Sequence, residues 1–210
     1  MNTQNVLCFD LWKTLVTEPL SSRDYWAPLF DVRPDLASSI SDDVLSSVMV
    51  TPMTLEDGVA TILQRYGIEN PKMTQEVTRR WKLSVDNTTL FPETLEVLGG
   101  LRQEASLALM TNTSAYGWEV LDHKYKLNRL FDCAILSFKN GNIKPQPEMF
   151  RAVEDWFGPA RLYTMVGDSL ANDIEPAKAR GWQTFWLRRD AQQQRTPTTI
   201  LSLTELFEKF

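Results

Sequence analysis

The sequence predicts an α/β fold: a doubly wound parallel sheet carrying an all-helical segment inserted after the first strand. Three observations lead there. Short continuous apolar runs recur along the chain, the signature of parallel strands buried on both faces. Helix-period patterns stand between them, and strand alternating with helix specifies parallel strands joined by crossover helices. One stretch, residues 17–88, breaks that alternation and holds helical patterns only.

The first run is Val6–Phe9, ending at Asp10. Leu107–Met110, Ala134–Leu136, Leu162–Val166 and Thr184–Leu187 follow as further strands. Within the interrupting stretch, Asp35–Val50, Leu55–Tyr66 and Met73–Val85 read as amphipathic helices, punctuated by Pro52, Gly67 and Pro71. Pro92 opens the next helix, with Leu95, Leu98 and Leu101 on one face. Pro147 opens another, with Phe150, Val153, Trp156 and Phe157 facing inward. Ala171–Arg180 is stopped by Gly181, and the last helix is Thr199–Phe210, built on Leu201, Leu203, Leu206 and Phe207. The expected division is a core of residues 1–16 and 89–210 and a helical unit of residues 17–88.

Bulk properties narrow the function. The chain has 210 residues, 43% hydrophobic, which suits one large globular core with an insertion. A net charge of −5 supplies no basic face for nucleic acid. Cys8 and Cys133 form no CxxC pair and His123 is the single histidine, so zinc sites and disulfide frameworks are not expected. The polar segment Met1–Asn5 and the short run after it fit neither a signal peptide nor a membrane span. The expectation is a cytoplasmic protein, monomeric or homodimeric.

Chemistry-bearing residues fall at the carboxyl ends of the predicted strands, where parallel sheets bind ligands. Asp10 follows the first strand and can be a nucleophile, a metal ligand or the start of a turn. Thr111-Asn112-Thr113-Ser114 follows the second: a hydroxyl and backbone N–H groups suit an anionic oxygen, or Thr113 or Ser114 caps the next helix. Lys144 lies in Ile143-Lys144-Pro145-Gln146-Pro147, a stiff segment that places either an anion-neutralising ammonium or a solvated surface lysine. Gly167-Asp168-Ser169-Leu170-Ala171-Asn172-Asp173 follows a fourth strand. Gly167 permits an unusual backbone angle. Asp168 and Asp173 repel each other unless a cation lies between them, and hard oxygens favour Mg²⁺; alternatively they are a helix cap and a first-turn acid.

In this order and at these strand ends the motifs resemble the haloacid dehalogenase (HAD) superfamily: Asp10-Leu11-Trp12-Lys13-Thr14, Thr111-Asn112, Lys144-Pro145, and Gly167-Asp168-Ser169 with Asn172-Asp173. The resemblance covers the whole chain, including Phe131-Asp132 and Pro147 through Phe150. It implies a Rossmann-like core with a class 1 helical cap. It also implies a Mg²⁺-dependent phosphatase in which Asp10 forms an aspartyl-phosphate. Asp10, Asp168 and the main-chain carbonyl of Trp12 would then hold the metal, with Asp173 supporting it or Lys144. Thr111, Asn112, Lys144 and Trp12 would meet the substrate.

Trp12 departs from the family pattern, which usually has a second Asp there to protonate the leaving group and activate water. Losing a general acid–base typically costs ~10²–10⁴ in rate. Three readings follow: a phosphatase preferring good leaving groups such as acyl or aryl phosphates; a dehalogenase attacking carbon; or a Mg²⁺- and phosphate-binding protein without turnover. The 2-haloacid dehalogenases carry Tyr at the position of Trp12, which fits the second. They lack the acid matching Asp168 and have Tyr where this chain has Phe150, and only Arg23 and Arg33 could match their substrate-binding Arg. Lys13 replaces a common Gly. In the insertion, Tyr25, Trp26, Arg79, Arg80 and Trp81 either line the cleft or fill that segment's own core. Trp118, Trp156, Trp182 and Trp186 read as packing residues.

Overall fold

The computed structural model describes residues 4–159, 161–189 and 196–210. A six-stranded, wholly parallel sheet forms its centre, in the order β3-β2-β1-β4-β5-β6. The strands are β1 Asn5–Phe9, β2 Ser106–Thr111, β3 Cys133–Leu136, β4 Leu162–Gly167, β5 Gln183–Leu187 and β6 Thr199–Ile200. β1 lies between β2 and β4, pairing Val6 with Ser106 and Tyr163 and Phe9 with Leu109 and Val166. The strand order reverses there, so the crevice beyond its carboxyl end is where a ligand of such a sheet binds.

Period-two alternation divides β1 between two cores. Leu7 and Phe9 join Leu107, Leu109, Val166 and Phe185 under α5 (Thr94–Leu101) and α6 (Ala115–Tyr125). Val6 and Cys8 join Ala108, Met110 and Met165 under α9 (Pro147–Phe157). Cys8 is a buried free thiol, as is Cys133.

Between β1 and β2 lie α1 (Ser22–Phe30), a 3₁₀ turn at Pro34–Ser38, α2 (Ile40–Leu45), α3 (Leu55–Arg65) and α4 (Pro71–Asp86) before α5. They bury a cluster of their own around Trp26, Leu29, Val59, Ile62 and Val77. Tyr25 and Trp81 belong to that cluster. Among the described residues no helix is long and apolar enough to cross a membrane.

Several elements differ from the sequence expectation. α1 carries Pro28 inside it, a residue that leaves the Asp24 carbonyl without its helical donor; Arg80 Nη1 reaches that carbonyl at 3.4 Å. The expected helix Asp35–Val50 is split into the 3₁₀ turn and the short α2. Ser39 and Ser46 turn their hydroxyls back onto Leu36 and Asp43 carbonyls, a local competition with regular helix. The expected helix Thr199–Phe210 begins instead as strand β6, paired to Trp186 and Leu187, and closes as a 3₁₀ segment, Leu203–Glu208. Leu203 and Leu206 are buried three residues apart, the spacing of a 3₁₀ turn. The expected helix Ala171–Arg180 is a π-helical turn, Leu170–Ile174, followed by α10 (Glu175–Ala179), with Pro176 near the restart. Trp156 is 64% exposed because Met149, Phe150 and Val153 form the buried stripe of α9. Leu95 is likewise turned outward, and Val97, Leu98 and Leu101 face the core.

Candidate active site

Asp10 stands immediately beyond β1, its N–H donating to the Val166 carbonyl of β4 at 2.9 Å. That backbone bond aims its carboxylate into the crevice. Lys144 enters from the connection between α8 (Ser137–Asn140) and α9, and is only 3% exposed. Its ammonium donates to Asp10 Oδ1 and to Asp173 Oδ1, each at 2.6 Å. A buried ammonium is costly unless paired, and two carboxylates satisfy this one. Burial pulls its pKa down, but Asp10 and Asp173 outweigh that and raise it, so the charge persists. The solvated-surface alternative for Lys144 is excluded.

Asn112, just past β2, clamps the main chain of Lys144. Its Oδ1 accepts the Lys144 N–H at 2.7 Å and its Nδ2 donates to the Lys144 carbonyl at 3.0 Å. Ser114 caps α6, accepting the Gly117 N–H at 3.1 Å, so the capping alternative holds for that residue. Thr111, the last residue of β2, is fully buried, and its Oγ1 has no hydrogen-bond partner among the described residues.

The loop after β4 brings two acids. Asp173 Oδ2 accepts the Ser169 N–H at 3.1 Å while Oδ1 takes Lys144. Gly167 makes this possible by its missing side chain. A Cβ there would lie 2.3 Å from Asp173 Oδ2, and its backbone is not in the left-handed region, so space rather than an unusual angle requires glycine. Asp168 is half-buried, and no hydrogen bond of its carboxylate is seen among the described residues. One oxygen from each of Asp10, Asp168 and Asp173 lies within 4.8 Å of the others. Burial raises the Asp168 pKa, and the charges of Asp10 and Asp173 raise it further. Burial also raises Asp173, against the opposing pull of Lys144. Three converging carboxylates facing one buried ammonium leave uncompensated negative charge. An all-oxygen donor set of this kind fits a hard divalent cation.

Trp12 packs against both the sheet-face core and the helical cluster, so it marks the seam between them. Lys13 has φ +61°, the left-handed region that its family-typical Gly would adopt freely, and its ammonium pairs with Glu18 at 2.9 Å. Arg189 pins this loop, donating to the Thr14 carbonyl at 2.8 Å and to Glu93 at 2.6 Å, over the Phe91 ring.

A hollow of about 410 Å³ opens over these groups, lined by Asp10, Trp12, Asn112, Lys144, Asp168 and Asp173. Lys13, Glu18, Ser169 and Asn172 line it too; Ser169 and Asn172 stand in the fourth motif without a role assigned to them, and Glu18 was not singled out by the sequence. Glu18 carried one signal, a carboxylate a few residues beyond Asp10 in the same connection. Arg189 carried none, because its partners are distant in sequence. Thr111 lies outside the hollow's lining. A larger hollow, about 660 Å³, lies at the opposite end of the sheet beside Leu162 and Gln183. Its Glu154 is already committed to Arg180 and Trp182.

The comparisons with known proteins agree with this geometry. The family model for haloacid dehalogenase-like hydrolase matches residues 5–181. The pyrimidine 5'-nucleotidase YjjG of Escherichia coli is 31% identical over 124 residues, which are 56% of this chain and 55% of that protein. The match thus spans about half the length of that relative. The magnesium-bound HAD-hydrolase YfnB of Bacillus subtilis superposes with TM-score 0.67 at 20% identity, covering 99% of this chain and 98% of that one. The 2-haloacid dehalogenase of Pseudomonas syringae pv. Tomato superposes with TM-score 0.67 at 19% identity, covering 97% and 96%. At such identities the superpositions speak to the fold. With a family match across most of its length and the motif carboxylates gathered at the sheet's switch point, the chain belongs to the haloacid dehalogenase-like hydrolases.

Proposed function

We propose that this hydrolase is a Mg²⁺-dependent phosphatase acting on a small phosphorylated metabolite through an aspartyl-phosphate on Asp10. The observation that carries this is the convergence of Asp168 with Asp10 and Asp173, because an acid kept in a metal-free site would only add repulsion. Asp10, Asp168 and the Trp12 carbonyl would hold the cation, with Asp173 behind them. When bound, it supplies charge neutralisation for the phosphoryl oxygens.

The chain's own groups do the rest. Lys144 fixes the orientation of Asp10 and offers its positive charge to the incoming phosphoryl group. Asn112 holds the Lys144 backbone in place, whereas the Thr111 hydroxyl, expected to meet a phosphoryl oxygen, is fully buried behind the hollow and outside its lining. An Asp10 oxygen attacks phosphorus as the bond to the leaving group breaks; water then cleaves the aspartyl-phosphate and restores Asp10. Positioning and charge neutralisation supply most of the acceleration in phosphoryl transfer. Trp12 cannot donate a proton, so leaving groups that need little protonation are favoured. In this reading residues 17–88 cap a reacting body of residues 1–16 and 89–210, in a cytoplasmic protein that engages neither nucleic acid nor membrane.

Trp12 also favours a second reading, hydrolysis at carbon, since halide departs without a proton. The test is product release. Mg²⁺-dependent phosphate from p-nitrophenyl phosphate supports the phosphatase, whereas metal-independent chloride from 2-chloropropionate replaces it with the dehalogenase. Asp10→Asn is expected to abolish turnover, and substantial residual activity would remove Asp10 from the nucleophile's role.

A further inference from the structure

A second hollow, about 310 Å³, lies between the loop after β1 and the helical insertion. It shares Trp12, Lys13, Glu18, Asn112 and Asn172 with the reaction hollow, so the two adjoin. A group attached to a phosphate held at Asp10 and Lys144 therefore has this slot beside it.

Its lining combines apolar and aromatic side chains with Lys13, Glu18, Ser84, Asn112, Ser114 and Asn172. Leu20, Leu45 and Met49 line it with Tyr25 and Trp81, whose rings stack at 4.8 Å between centroids and 13° between planes. Trp12 forms the wall at the reacting end. The polar groups present are largely committed. Ser84 Oγ bonds both the N–H and the carbonyl of Leu20, at 3.1 and 3.3 Å, and Glu18 is paired with Lys13. A polyhydroxylated group such as a sugar would find few uncommitted partners here for the water it loses, which is costly. A flat hydrocarbon ring would lose nothing and would gain apolar and stacking contacts.

We infer that the slot between Trp12, Met49 and the stacked Tyr25–Trp81 pair receives an aromatic leaving group, so that the substrates are aryl phosphate monoesters. This rests on the phosphatase reading above and goes further by naming the substrate class.

The chemistry of Trp12 agrees. As an Asp10 oxygen bonds to phosphorus, the bond from phosphorus to the aryl oxygen breaks with its electron pair staying on that oxygen. A phenolate, with a conjugate acid near pKa ~10, leaves without prior protonation and later takes a proton from water. An alkoxide is more basic by roughly six pK units, close to hydroxide, and needs the acid that Trp12 has displaced. A second water attacks the aspartyl-phosphate, releasing inorganic phosphate and regenerating Asp10. One residue thus removes the proton donor and builds the wall for a leaving group that has no need of it.

The test compares kcat/KM, with Mg²⁺, for 1-naphthyl phosphate, phenyl phosphate, acetyl phosphate and glycerol 3-phosphate. The two aryl esters should exceed glycerol 3-phosphate by about 10²-fold or more. 1-Naphthyl phosphate should have a KM about tenfold below that of acetyl phosphate, which has a good leaving group but no ring. Met49 is half-buried at the slot, so Met49→Glu places a charge there with little risk to folding. It should lower the ratio of naphthyl to acetyl phosphate kcat/KM by about tenfold. Trp81→Ala is a second probe if it folds. If acetyl phosphate is hydrolysed but aryl esters are no better than glycerol 3-phosphate and Met49→Glu leaves the ratio unchanged, the slot assignment is wrong while the phosphatase stands. If none of the four, acetyl phosphate included, releases phosphate, both fall together.

Discussion

At the scale of single residues, the site depends on a buried ammonium shared by two carboxylates. Lys144 stays charged because Asp10 and Asp173 each hold it at 2.6 Å, and Asp173 approaches because residue 167 has no side chain. Gly167→Ala should therefore push Asp173 off both Lys144 and Ser169, at about 1–3 kcal/mol, read as a lower urea midpoint together with reduced turnover. An unchanged midpoint would show that the loop adjusts freely. Trp12 offers the opposite test. Trp12→Asp restores a titratable group where the family usually has one, and turnover of an alkyl phosphate should rise by about 10²-fold. The fold should lose some stability because Trp12 packs on two cores. No gain for alkyl phosphates would mean that another group already moves the proton.

At the scale of elements, three of the six strands end at motif residues on the same end of the sheet because all the strands are parallel. Asp10 follows β1, Thr111 closes β2 and Asp168 follows β4, and their register is fixed by apolar residues buried on both faces. α9 is tied down at the opposite edge, where Glu154 pairs with Arg180 and accepts from Trp182 Nε1 at 2.9 Å. Burial tends to raise the Glu154 pKa, but Arg180 and Trp182 outweigh it and hold the carboxyl below its ordinary range. The sign follows. The stabilisation is fully present above the unfolded glutamate value, near ~4.3, and is lost as pH falls through the lower folded value. Wild type should exceed Glu154→Gln by on the order of 1 kcal/mol at pH 6, with the gap closing below pH ~4. A gap that is constant with pH would assign the effect to packing instead.

For the molecule as a whole, the sheet-based core and the helical insertion each bury their own apolar cluster, and they meet over the site at Trp12. A cation binding the folded state alone stabilises it by RT ln(1 + [L]/Kd), about 2.7 kcal/mol at a hundredfold excess over Kd. For a chain of this size that is roughly 5–10 °C in Tm. Mg²⁺ should give such a rise in thermal melts, and Asp168→Asn should remove most of it. Identical melts with and without Mg²⁺ would sink the metal assignment.

How much the sequence foretold depended on the range of the interactions involved. The strands and the order of the motifs were legible because apolar runs and the residues at their ends are local patterns. The helix that became β6 was not, since Thr199–Ile200 is strand only through pairing with β5. Nor was α1, whose Pro28 argues against a helix until Arg80 from α4 supplies a donor to the Asp24 carbonyl.

By itself the sequence determined the parallel α/β core, the helical insertion after the first strand, and the acids and lysine that strand-end chemistry requires. Tertiary structure alone decided that Lys144 is buried between Asp10 and Asp173, that Gly167 is needed for space, and that Trp12 lines two adjoining hollows. The reason is physical. Periodicity and turn chemistry act between neighbours in the chain, whereas charge pairing, close approach and the walls of a cavity arise between residues far apart in it, 134 positions in the case of Asp10 and Lys144.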